Sequence, residues 1–236
     1  MRPLITALPM GRIPVAQYKV AELFESINGE GPFAGQLAVF VRFKGCNLSC
    51  TYCDTAWANE PEAFCRMMTE SEIYQSVKRT GIKNVTLTGG EPLIQPDILT
   101  LLALLLKDGN LRIEIETNGS VNLREMKQLS PLLSFTMDYK LPASGMEKGM
   151  FPDNFHLLTE NDTVKFVAGS KKDLLRAKEI IERYDLTNKC RVYISTVFGS
   201  LDLKEVVDFM KEKRLNGVTL QLQLHKIIWG EQARGV

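Results

Sequence analysis

Three cysteines crowd into eight residues as Cys46-Asn-Leu-Ser-Cys50-Thr-Tyr-Cys53, at spacings of four and three. A short irregular loop can wrap that spacing around one iron–sulfur cube. Such clusters are held by cysteine thiolates, usually four, so three leave one iron open to a small ligand. Two other readings share the spacing. A structural zinc site wants four protein ligands, and the chain's two histidines, His156 and His225, are the residues on hand to complete one. Free thiols are the other. Cys65 and Cys190 need no role, since free cysteine is among the most buried residue types.

Further chemistry flanks the triplet. Ser26-Ile-Asn-Gly-Glu-Gly31 is a glycine-rich loop bearing a carboxylate, and Arg42 stands four residues before the first cysteine. That pairing suits a small ligand with an amine-rich edge and a carboxylate, because arginine grips carboxylates bidentately. The plain alternatives are a turn at Asn28-Gly29 and a surface ion pair at Arg42.

The elements that must hold these groups alternate along the chain. Strand-like runs cover 37–43, 84–88, 111–117, 134–138, 163–168, 191–197 and 218–224. Between them, Thr69-Glu-Ser-Glu72 reads as a capping box opening a helix to about Arg79 that Gly81 stops, and Asp97 reads as the cap of an apolar helix to Lys107. Further helices are expected at 123–129, 171–184 and 202–213. Such alternation implies parallel βαβ units and an α/β fold. With about six core strands an eight-stranded barrel is incomplete, so a partial parallel β/α barrel is expected, as one domain over 18–236 behind an N-terminal extension of 1–17. Ligands then belong at the C-terminal strand ends, where Gly45-Cys46, Thr88-Gly-Gly-Glu-Pro92, Glu116-Thr-Asn-Gly119 and Asp138-Tyr-Lys140 all fall.

Of 236 residues, 29 are Lys or Arg and 28 Asp or Glu, and a net charge of +1 gives no reason to expect a nucleic-acid or membrane partner. The longest apolar run, 98–106, is far short of the roughly 20 residues a membrane span needs. Residues 1–11 lack the apolar core of a signal peptide, so a cytoplasmic protein is expected, where five cysteines would not form a disulfide framework.

Cys-x-x-x-Cys-x-x-Cys with an aromatic before the last cysteine resembles the signature of the radical S-adenosylmethionine superfamily, and Thr88-Gly-Gly-Glu-Pro92 resembles its second motif. With Phe24 to Gly31, Arg42 to Cys46, Cys53-Asp-Thr55, Glu116 to Gly119, Lys140 to Gly145 and His225-Lys-Ile-Ile-Trp229, the chain from about Tyr18 is similar to the 7-carboxy-7-deazaguanine synthases. That resemblance implies a 4Fe-4S cluster on Cys46, Cys50 and Cys53, S-adenosylmethionine on its open iron, magnesium, a flavodoxin- or ferredoxin-type reductant and a homodimer. It implies that an adenosyl radical takes hydrogen from C6 of 6-carboxy-5,6,7,8-tetrahydropterin, and that ring contraction gives 7-carboxy-7-deazaguanine and ammonia, towards queuosine and related deazapurines.

Carried over by position, the resemblance places Ile27, Asn28, Gly29, Glu30, Arg42 and Thr88 on the pterin, the Asn28 contact being through its backbone, and Thr55 on magnesium. Tyr52, Cys53, Asp54, Gly90, Asp138, Tyr139 and Lys140 would contact S-adenosylmethionine, with Ser195 and Glu116, at strand ends, weaker candidates. Many relatives have Gln at Asn28 and Ser-Pro-Lys where Asp138-Tyr-Lys140 stands, which favours Lys140 over Asp138. His225, near a C-terminal strand, is more often structural in such a place, and Trp229 is either a dimer contact or a lid. The rival enzyme is a glycyl-radical-enzyme activase, which would give Arg42 and the 28–31 loop no pterin to bind. The rival from another class is a non-catalytic iron–sulfur or zinc protein, which would not need Thr88 to Pro92.

Overall fold

The computed structural model describes residues 16–231 and 233–236, so 1–15 of the expected extension lie outside the described residues. One sheet runs through them. In chain order its strands are β1 (Tyr18–Ile27), β2 (Leu37–Phe43), β3 (Arg66–Met68), β4 (Asn84–Gly89), β5 (Arg112–Thr117), β6 (Ser134–Tyr139), β7 (Thr163–Ala168), β8 (Arg191–Thr196) and β9 (Val218–Leu220). The helices are α1 (Glu70–Thr80), α2 (Ile98–Leu106), α3 (Arg124–Leu129), α4 (Lys171–Tyr184), α5 (Leu203–Glu212) and α6 (Leu224–Trp229).

The strand order is β3-β1-β2-β4-β5-β6-β7-β8-β9, so the sheet has two free ends and does not close. From β2 onward every pairing is parallel, giving the six expected strands plus the short β9. The antiparallel additions β1 and β3 were not expected. A register shift between Val20 and Glu22 breaks the period-two pattern of β1, and β3 is a three-residue edge.

Strand alternation sorts the chemistry. Leu87, Ile113, Ile115, Phe135, Phe166 and Ile194 face the helices and join Ile73, Val77, Leu101, Leu105, Leu174 and Ile181 in the buried core. The intervening residues, among them Thr88, Glu114, Glu116, Thr136, Asp138 and Lys165, share the opposite face through the parallel registers Glu116↔Thr136 and Asp138↔Lys165. One face of the sheet is thus oily and the other ionic, and both are covered.

Local signals acted as expected at α1, where the Thr69 hydroxyl accepts from Glu72 N, Glu72 returns the bond to Thr69 N, and Gly81 closes the helix at φ +71°. Asp97 departs from expectation. It stands at the N-cap of α2, but at φ +52° its side chain makes no capping bond, while its carbonyl takes the Tyr18 hydroxyl. The expected strand over 218–224 also ends early, at Leu220, although β8 runs two residues past its partner Ile194; the side chains of Gln221 and Gln223 bond Gly31 and Glu30 there. Residues from Leu224 onward form α6 instead.

These two caps should differ on mutation. Thr69→Ala should cost about 1 kcal/mol of stability, whereas Asp97→Asn, which tolerates the left-handed conformation and loses no cap bond, should leave stability within about 0.5 kcal/mol. Urea unfolding of the two apoproteins measures both.

Candidate active site

The C-terminal ends of β2, β4, β5, β6 and β7 surround a cavity of about 520 Å³, within the range of small-molecule sites. Cys46, Cys50 and Cys53 all line it, from the irregular loop that leaves β2. No described trio of His, Cys, Asp and Glu is drawn together around a single metal ion. Three thiols lining one cavity suit a cluster whose irons each take one.

The loop is fixed by close contact with the end of β4. Gly90 N donates to Phe43 O at 3.0 Å and Glu91 N to Gly45 O at 2.9 Å. A Cβ at Gly90 would lie 2.0 Å from Gly45 O, and one at Gly89, which sits at φ +133°, 2.2 Å from Phe43 O. The need for glycine at these positions therefore comes from the cysteine loop itself, before any cofactor approaches.

Glu91 is fully buried beneath this contact. Its Oε1 accepts from Leu93 N and the Thr117 hydroxyl, and its Oε2 accepts from Asn118 N at 2.7 Å. Burial pushes its pKa up to about 7 against those donors.

The other expected ligand-binding residues divide in two. Ile27, Gly29, Glu30, Arg42, Tyr52, Asp54, Thr55, Thr88, Gly90, Glu116, Asp138 and Lys140 line the cavity. Arg42 gives Nε to Glu22 at 3.0 Å, and among the described residues no acceptor meets its two terminal nitrogens. Thr55 Oγ1 has long contacts, 3.6 Å to Cys53 Sγ and 3.4 Å to Gly89 O. Tyr52 reaches Val167 O at 3.3 Å.

Asn28, Tyr139 and Ser195 do not line it. Tyr139 points to the opposite face of β6 from Asp138 and Lys140, packs on Phe155 and Phe166, and bonds Glu147. Ser195 is completely buried. The Asn28 side chain accepts from the Thr86 hydroxyl at 2.9 Å, and its backbone N–H and C=O are taken by Gln36 and Gly35.

Several residues that sequence reasoning passed over are central. Lys165 Nζ sits 3.0 Å from Glu30 and 3.7 Å from Asp138, which also pairs with Lys140 at 3.0 Å. Burial works against the Lys165 charge, but Glu30, Asp138 and Glu116 overcome it and hold its pKa well above the ordinary value. Lys140 is raised in the same way by Asp138 and Cys50. A lone lysine in the β-branched run Thr-Val-Lys-Phe-Val was the available signal. Gln221 exchanges two bonds with the backbone of Gly31, Gln223 bonds Glu30, and Leu224 N donates to Gly29 O, so α6 is tied to the 27–31 loop.

His225 lies on α6, not on a strand, and its Nδ1 packs where a Gly29 Cβ would be, at 2.2 Å. Burial lowers its pKa by more than Glu30 and Asp54 raise it. Burial in the cleft also opposes the Asp54 carboxylate, but Lys226, Lys165 and His225 prevail and keep its pKa low. Residues 233–236 complete the rim, with the Arg234 guanidinium 4.5 Å from the Trp57 ring centre.

Comparison with known proteins accords with this geometry. Residues 40–139 match the Radical SAM superfamily model, which implies a 4Fe-4S cluster and S-adenosylmethionine. The chain is a radical SAM enzyme. A 7-carboxy-7-deazaguanine synthase of Clostridium acetobutylicum is 56% identical over 93% of this chain and 99% of its own, and one of Chlorobaculum tepidum is 38% identical over 94% and 98%. The chain belongs to the 7-carboxy-7-deazaguanine synthase family. The crystal structure of QueE from Escherichia coli shares the fold, with TM-score 0.68 at 22% identity over 87% of this chain and 94% of that one.

The residues present fit both groups that the superfamily implies. Three thiols face one space, and the buried, cavity-lining Glu30 Oε1 and Asp138 Oδ1 have no protein donor, as acceptors awaiting ligand amines would.

Glu114 gives the site a pH signature. It is buried, bonded by the Thr136 hydroxyl, and its pKa is pushed up to about 7 by burial and by Glu116. A raised carboxylate contributes stability that is complete below its ordinary pKa of 4.5 and lost as pH rises through about 7. Glu114→Gln should therefore gain on the wild type between pH 6 and pH 8, by about 1 kcal/mol. Urea melts of the apoproteins at the two values measure it, and a constant difference between the proteins would contradict it.

Proposed function

We propose that this chain converts 6-carboxy-5,6,7,8-tetrahydropterin to 7-carboxy-7-deazaguanine with release of ammonia, a carbon–nitrogen lyase step towards queuosine and related deazapurines. The observation that carries the reading is Arg42. Its guanidinium lines the cavity that the cysteines share, and its terminal nitrogens are uncommitted among the described residues, as a bidentate carboxylate clamp requires. An activase acting on a protein would have no such need.

When bound, the cluster and S-adenosylmethionine supply a carbon-centred radical able to abstract hydrogen. The chain's own residues then hold the reactants. Cys46, Cys50 and Cys53 ligate the cluster. The Gly89-Gly90 turn, Tyr52, Asp54 and the Asp138–Lys140 pair receive S-adenosylmethionine, where the orphaned Asp138 Oδ1 takes an amine donor. Arg42 holds the pterin carboxylate, and Ile27, Gly29, Glu30 and Thr88 hold its ring, with Glu30 Oε1 accepting from the amine-rich edge. Lys165 keeps Glu30 aimed, and Asn28 serves through the turn it builds rather than by contact. Loss of ammonia alone relates substrate and product, so no net electrons are needed and the cofactor is regenerated.

Magnesium belongs at Thr55. The hydroxyl is a hard oxygen with no short protein partner, and magnesium accepts few protein ligands when substrate and water supply the rest. Residues 18–236 act as one domain. A second copy of the chain pairs through the outer face of α6, where Ile227 and Ile228 are 63% and 53% exposed beside Trp229. A flavodoxin- or ferredoxin-type protein delivers the electron. The balanced charge argues against nucleic acid, and no described helix is long and apolar enough to cross a membrane. A reducing cytoplasm suits the cysteines, which are free thiols among the described residues.

The deciding experiment incubates the anaerobically reconstituted protein with S-adenosylmethionine, dithionite, magnesium and carboxytetrahydropterin. A deazaguanine chromophore and free ammonia should appear, and their absence would overturn the reading. Arg42→Lys, which keeps charge but loses the fork, should raise KM for the pterin about tenfold or more, equivalent to about 1.4 kcal/mol, with cluster content unchanged. Thr55→Ala should weaken the magnesium response while the cluster stays intact. An identical magnesium titration would remove Thr55 from the site.

A further inference from the structure

Asn118 has no part in the function just described, yet it is the side chain that reaches from the end of β5 to the cysteine loop. It is 6% exposed. Its Oδ1 accepts from Ser120 N at 2.9 Å, which fixes the orientation of the amide and turns Nδ2 the other way. Both hydrogens of that nitrogen find acceptors in the cysteine loop. Asn47 Oδ1 lies at 3.0 Å and Cys46 Sγ at 3.5 Å. The Asn47 amide returns a bond to the Ser120 hydroxyl at 2.8 Å, so the two segments lock together.

The three thiols are not treated alike. Cys46 Sγ also receives Leu48 N at 3.4 Å, and Cys53 Sγ faces the Thr55 hydroxyl. No donor meets Cys50 Sγ among the described residues. Reduction adds negative charge that spreads over the ligand sulfurs, so a donor aimed at one of them stabilises the reduced cluster more than the oxidised one and raises its potential. A buried amide does so in a medium that screens it little.

We infer that Asn118 is a positioning residue that sets the reduction potential of the cluster by donating its amide hydrogen to the Cys46 thiolate. Glu91 sets the aim. It holds Asn118 N at 2.7 Å and the neighbouring Thr117 hydroxyl at 2.9 Å, so the turn after β4 and the potential of the cluster are mechanically linked. The inference rests on the reading of Cys46 as a cluster ligand.

The test is a redox titration of the reconstituted protein, followed by electron paramagnetic resonance without S-adenosylmethionine. At a fixed potential, Asn118→Ala should lower the ratio of reduced to oxidised cluster on the order of tenfold, about 59 mV for a one-electron couple. Asn118→Asp, which puts a carboxylate oxygen where the donor was, should lower it further. Wild-type potentials in variants with full iron content would overturn the inference. If neither variant assembles a cluster, the wild type decides. Protein labelled with nitrogen-15 at the asparagine side-chain amide should show a coupled nitrogen in the pulsed spectrum of the reduced cluster, and a spectrum without it overturns the inference. Cys46→Ala, run alongside, separates the two claims. A normal cluster there sinks the ligand assignment, whereas a lost cluster there with an unmoved potential in Asn118→Ala sinks this inference alone.

Discussion

The site depends on the closeness with which two backbones meet. The turn at Gly89-Gly90 lies against Phe43 and Gly45 so tightly that no Cβ fits on either glycine, and two backbone hydrogen bonds hold the contact. That seam joins the cysteine loop to the turn expected to receive S-adenosylmethionine. Glu91, at its base, ties both to the end of β5 through donors from Thr117 and Asn118. The cysteine loop, the glycine turn and the Glu116 to Gly119 segment are therefore bonded to one another by the protein alone.

The second requirement is the charged concave face. Ions buried without partners are costly, and here the cations are paired: Lys165 between Glu30 and Asp138, Lys140 beside Asp138, Arg42 beside Glu22. The partners are not saturated. Glu30 Oε1, Asp138 Oδ1 and the terminal nitrogens of Arg42 are left over, two acceptors and a fork of donors, within one cavity. A substrate with amines at one edge and a carboxylate at another complements that remainder.

Much of this was legible because its signals are local. The cysteine spacing, Thr88 to Pro92, the Thr69 to Glu72 box and the β-branched runs each act within a few residues. What was missed acts at a distance. Lys165 meets Glu30 across 135 residues, and no window along the chain joins them. Gln221 reaches Gly31 across 190. The alternating Leu-Gln-Leu-Gln-Leu of 220–224 reads as strand, but the ladder with β8 stops at Leu220 and the glutamines hold the 27–31 loop instead. Tyr139 was open to reasoning, since a strand that sends Asp138 and Lys140 into the cavity must send the residue between them away.

The central proposal is a cluster held by the three cysteines beside this seam, with one iron that no protein ligand claims. Mössbauer spectroscopy of protein reconstituted with iron-57, recorded with and without S-adenosylmethionine, addresses it most directly. About one quarter of the iron signal should change its parameters when S-adenosylmethionine is added, as one open iron in four requires. A spectrum in which no iron responds, or a protein that takes up zinc and no iron, would contradict the account.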